Sequence, residues 1–66
     1  MLNMGMRITN ARKAKKWSQG DLAKASKASR DAIGKYERDE VSPSIEVTKN
    51  MADALGVSLD YLVGGR

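Results

Sequence analysis

The chain has no cysteine and no histidine among its 66 residues. Neither a disulfide nor the usual zinc-ligand set can therefore reinforce it. The same absence removes the commonest general base and the thiol nucleophile. No glycine-rich phosphate loop compensates, so an enzyme is not expected. Phenylalanine is missing, proline occurs once, and the aromatics amount to one Trp and two Tyr. No apolar run approaches the length of a membrane span, and the N-terminal MLNMGMR lacks the apolar stretch of a signal peptide. No alternating run of β-branched residues marks a strand. What remains is a soluble, cytoplasmic, all-α domain covering 1–66, with its core at about 6–64 and no cofactor or metal. At this size a hydrophobic core rarely supplies more than about 3–5 kcal/mol. Helix capping and a second copy of the chain are expected to help.

What is present is positive charge, unevenly placed. Residues 1–38 hold ten Lys/Arg against three Asp/Glu, and residues 39–66 hold two against five. A solvated surface explains any single lysine, but segregation concentrates field on one face, as polyanion binding requires.

Serine caps and apolar periodicity predict five short helices. The first covers 6–15, with Ile8, Ala11 and Ala14 inward. The second follows Ser18, where Asp21 completes a capping box and Trp17 is placed to staple onto Leu22; it ends near Ala25. Ser26, Lys27 and Ala28 form a turn. Ser29 caps the third helix, 29–38, whose inner side is Ala32, Ile33 and Tyr36. A loop at 39–43 leads to Ser44, which caps a fourth helix with Ile45, Met51, Ala52 and Leu55 inward and Gly56 as its stop. Ser58 caps a last helix, with Val57 placed to staple onto Leu62 and Gly64–Gly65 ending it. The methionines read as core filler, and Trp17 and Tyr36 as core aromatics rather than stacking platforms.

On a wheel of about 100° per residue, Arg30, Gly34, Arg38, Asp31 and Lys35 share one side of the third helix. Ala32, Ile33 and Tyr36 take the other. Two tight helices of this kind hold the second at a fixed angle on the surface, the arrangement used to enter a major groove. Arg30 is the best base reader, since a guanidinium can donate two bonds to guanine. Asp31 is suited either to cytosine N4 or to the positive end of the helix dipole. Gln19 can set its amide and the helix N-terminus on a phosphate. Ser18 belongs to the same helix start. Lys27, Lys35 and Arg38 suit phosphates, while Lys13, Lys15 and Lys16 contribute field. Gly34 permits close approach to DNA or is simply a tolerated glycine.

The chain resembles the phage-repressor-like helix-turn-helix family, of Cro and lambda-repressor or Xre-like type. The resemblance rests on Ser18-Gln19, Leu22-Ala23, the Ser29 cap, Ile33, Tyr36-Glu37, Pro43-Ser44 and the run Ala54-Leu55-Gly56-Val57-Ser58. It covers about 6–64. It implies a compact five-helix domain that binds double-stranded DNA as a homodimer on a roughly palindromic operator, as a transcriptional regulator, most simply a repressor. The positions it assigns to DNA contact include Gln19, Ser29, Arg30, Asp31, Lys35 and Arg38, and it assigns an ion pair to Arg12 and Glu37. The last helix, with Leu59, Tyr61, Leu62 and Val63, has more apolar surface than one inward stripe needs, which suits either closure of the core or a dimer seam; the resemblance implies the seam, at Leu59, Tyr61 and Leu62. The chain departs from the pattern at Lys27, where glycine is common, at Thr48, where leucine is common, and at Gly34 in mid-helix. A protein-interaction module on the same fold, such as an antitoxin or adaptor, is the alternative. A membrane-surface role is disfavoured, because the helices carrying the cations need their other faces for the core. No small-molecule substrate is evident.

Overall fold

The structure, a computed structural model, describes residues 3–64. Its elements are α1 (Met4–Ala14), α2 (Gln19–Ser26), α3 (Arg30–Glu37), α4 (Ile45–Leu55) and α5 (Leu59–Leu62). No strand occurs among the described residues. The all-α, five-helix architecture is the expected one, with α2 packed on α3 and α4, α1 on α3 and α5, and α4 on α5.

Five apolar side chains reach the centre with no exposure: Ile8, Leu22, Ile33, Met51 and Leu62, one from each helix. Each such burial is worth about 1.5–3 kcal/mol relative to exposure. Ala11, Ala23, Ala52 and Leu55 complete the core, and Trp17, Tyr36 and Val57 pack against it from the edge. Met4 also packs there, but Met6 is half exposed, so the methionines are only partly core filler.

Each helix start has its side-chain cap. Ser18 Oγ accepts from the Asp21 amide, while Asp21 Oδ2 accepts from the Ser18 amide, closing the capping box. Ser29, Ser44 and Ser58 accept from Ala32, Val47 and Tyr61. Asn3 caps α1 through the Met6 amide, so that helix begins two residues before the expected start.

Four helix ends share one geometry. A residue with left-handed φ, at Lys16, Lys27, Asp39 or Gly56, is followed by an amide that reaches back five residues. Trp17, Ala28, Glu40 and Val57 thereby bond the carbonyls of Arg12, Ala23, Lys35 and Ala52. This satisfies carbonyls the helix would otherwise orphan. At three of the four ends the residue is not glycine, a strain of about 1–2 kcal/mol each. Lys27, where glycine is common in the resembled family, is one of the three. Asp39 offsets its own by accepting the Gly5 amide at 3.1 Å, tying the end of α3 to the start of α1.

Four expectations are corrected. Ala14 is exposed, because a repeat of three residues precesses about 60° per step and leaves the inner face; Arg12 lies on that face instead. Ile45, the first residue of α4, is 75% exposed, and the buried stripe starts one turn later at Thr48. Thr48 satisfies its hydroxyl by donating to the Ser44 carbonyl at 2.7 Å. Ser26 belongs to α2 rather than the turn, buried with its hydroxyl donating to the Leu22 carbonyl. Leu62 is fully buried within its own chain, so it cannot form a dimer seam. The expected stop at Gly65 lies outside the described residues.

Candidate nucleic-acid interface

The position of α3 is set by a polar cluster under its C-terminal half. The Glu37 carboxylate accepts from Arg12 Nε at 2.7 Å and Nη2 at 3.1 Å, and from Gln19 Nε2 at 3.2 Å. Arg12 also donates to the Trp17 carbonyl at 2.8 Å. One carboxylate thus joins α1, α2 and α3. Its side chain is only 7% exposed. Burial alone would raise the Glu37 carboxyl, but the bonds from Arg12 and Gln19 outweigh it and hold the group below its ordinary value.

Above this cluster the outward flank of α3 is charged. Gln19, Arg30, Asp31, Gly34 and Arg38 line one open depression of about 280 Å³. These are the residues that the helical wheel and the start of α2 had grouped. Gly34 forms its buried floor: a β-carbon there would lie 3.1 Å from Arg38 Nη1 and 3.8 Å from Gln19 Oε1. Lys35 stands at the rim and pairs with Asp31 at 3.5 Å, both well exposed.

The other candidates lie around this centre. Ser18 and Ser29 use their hydroxyls as caps for α2 and α3. Lys27 is exposed in the turn between them. Gln19 is already engaged through its amide nitrogen by Glu37, which leaves its oxygen towards Gly34. Arg38 is the C-cap of α3 rather than its last turn.

Periodicity had not singled out Glu40. Its carboxylate takes Arg38 Nε at 2.5 Å and Nη2 at 3.5 Å. The Arg38 bond holds the Glu40 carboxyl below its ordinary value and raises the guanidinium. Residue 40 lies beyond the helix, so a wheel cannot place it. The left-handed turn at Asp39 folds it back.

Towards the C-terminal end of the described residues, Tyr61 is partly buried, with the Arg7 guanidinium 5.1 Å from its ring centre and Arg7 Nη1 donating to its carbonyl. The outward apolar residues of this end are Leu59 and Val63, at 36% and 56% exposure.

Two short helices joined through a left-handed residue, the second buried on one side and charged on the other, define a helix-turn-helix protein. The helix-turn-helix family model matches residues 8–62, and the chain belongs to that family. It is 35% identical over 63 residues to the immunity repressor protein of Bacillus phage phi105, covering 96% of this chain and 44% of that one. It is 33% identical over 61 residues to the SPbeta prophage-derived uncharacterized HTH-type transcriptional regulator YonR of Bacillus subtilis (strain 168), covering 92% and 56%. The chain thus spans about half the length of these curated relatives. Among solved structures, it superposes on the P22 c2 repressor protein in complex with a synthetic operator with a TM-score of 0.95, 38% identity and full coverage of both chains.

Proposed function

We propose that this chain is a sequence-specific double-stranded DNA-binding repressor that places α3 in the major groove, acting in the cytoplasm as a homodimer on a palindromic operator. The observation that carries this is the charged depression of Gln19, Arg30, Asp31, Gly34 and Arg38, held on a helix whose other side is core. The P22 c2 repressor, to which the whole chain is similar, was solved on operator DNA, and the phi105 relative is an immunity repressor.

In this reading Arg30, at the first position of α3, donates to guanine O6 and N7. Asp31 beside it accepts from cytosine N4, at the cost of its Lys35 pair. Gln19 and the amides at the start of α2 meet a phosphate, Lys27 and Lys35 add phosphate contacts that strengthen binding without specifying sequence, and Arg38 offers its Nη1 to the depression. Leu59 and Val63 form the apolar part of the dimer seam.

Selection of bound duplexes from a random pool tests the proposal. The expected result is a motif with two related half-sites about one helical turn apart. Recovery of unenriched sequence, with a scrambled duplex bound as tightly as any selected one, would remove the specificity claim.

A further inference from the structure

The groove face carries a carboxylate that DNA binding alone does not call for. Glu40 sits three residues past the end of α3, yet its backbone is fixed: its amide donates to the Lys35 carbonyl at 2.9 Å, behind the left-handed Asp39. From there its side chain reaches the Nε–Nη2 edge of Arg38. That is the edge an arginine offers to a phosphate when it binds in fork fashion. The remaining amino group, Nη1, is folded over Gly34 at the floor of the depression.

We propose that Glu40 is a specificity-determining residue: by occupying the forked edge of Arg38, it keeps that guanidinium from clamping a phosphate of any sequence and leaves only Nη1 for the groove. The proposal rests on the DNA-binding reading above. Its physical basis is competition. A phosphate that takes the Nε–Nη2 edge must displace Glu40 and then lie beside a free carboxylate, which repels it. On the operator Arg38 is already committed to the groove through Nη1, so the penalty falls on other duplexes, where a backbone phosphate is the partner left for the forked edge. Asp31 is the other carboxylate near Arg38, but it bonds Lys35. Both partners of the Arg38 pair are about half exposed, so removing it leaves the helix ends and core untouched.

The test compares the intact chain with Glu40→Gln and Asp53→Asn on a fluorescein-labelled random-sequence duplex over a range of KCl. Asp53 is an exposed residue of α4, and its change alters net charge equally without touching Arg38. Glu40→Gln is expected to tighten random-duplex binding by about two- to fivefold at low salt. It should also steepen the log-affinity against log-salt slope by about 0.9, one added phosphate contact. Discrimination between a selected duplex and the random one should narrow by the same factor, with Asp53→Asn leaving all three quantities unchanged. Equal slopes for Glu40→Gln and the intact chain, or equal effects from Asp53→Asn, would overturn the proposal while leaving the DNA-binding reading in place. Failure of the intact chain to bind either duplex would overturn both.

Discussion

A β-carbon on residue 5 would stand 2.4 Å from the Glu37 carbonyl oxygen and 2.9 Å from Asp39 Oδ2. Backbone lies in the way, so no rotation of a side chain can make room. Gly5 is what lets the first turn of α1 rest on the end of α3. Gly5→Ala is expected to lower stability by about 1–3 kcal/mol, the range for overpacking a close contact, read as an earlier midpoint in urea unfolding. An unchanged midpoint would show that the two helix ends can part without loss. The charged flank divides into two kinds of residue. Arg30→Ala should relax preference at one position of each half-site, by about 1–3 kcal/mol. Lys35→Ala should weaken all duplexes alike and shallow the salt slope by about 0.9. Binding titrations on single-base variants of a selected duplex separate the two patterns.

For the elements, the angle of α3 depends on the cluster around Glu37. Its carboxyl is depressed in the folded chain, so the stabilisation it contributes is present above the ordinary carboxylate pKa and lost as pH falls through the lower, folded value. Glu37→Gln should therefore flatten the acid limb of the stability profile, while destabilising the chain at neutral pH by roughly 2 kcal/mol. That is less than the about 3–5 kcal/mol for a fully buried pair, because Arg12 keeps its bond to the Trp17 carbonyl. Thermal melts between pH 3 and 7 would show both effects, and parallel profiles for variant and parent would contradict the role given to Glu37. The elements were largely legible in the sequence because serine caps and Gly56 are local signals. Asn3 was missed because Gly5, a poor helix former, stands in the turn it caps and hides the start of α1. Ala14 was misplaced because a three-residue repeat imitates the helical period for only one step, from Ile8 to Ala11, and fails at the second. Ile45 was misplaced because periodicity cannot say where along a helix the core begins. The grouping of Arg30, Asp31, Gly34 and Arg38 followed from the helix alone. The Glu40 contact depends on a left-handed turn at an aspartate, which composition does not announce.

Over the whole molecule, the charged flank and the exposed apolar residues of the last helix belong to different elements. Arg30 and Arg38 line the depression on α3, whereas Leu59 and Val63 are exposed on either side of Tyr61 in the sequence. Leu62 was assigned to the dimer seam because α5 has apolar residues all round. A core that takes one side chain from each of five helices needs it inside. Leu59→Glu should accordingly leave helicity intact but weaken binding to a duplex with two half-sites far more than to one with a single half-site. Sedimentation of the complexes would report one copy per duplex instead of two. Two copies on the paired site, despite the substitution, would move the seam elsewhere.

The brevity of α3 has a consequence for how much can be spelled out by one chain. Eight helical residues advance about 12 Å, and successive base pairs are about 3.4 Å apart, so under the proposed function a single copy would inspect three or four letters. A word that short recurs by chance about every few hundred base pairs, against roughly a million or more competing positions in a genome. One copy cannot find a unique address at that vocabulary. Doubling the word through a twofold partner squares the odds, and the fixed spacing between the two halves then becomes part of the message itself.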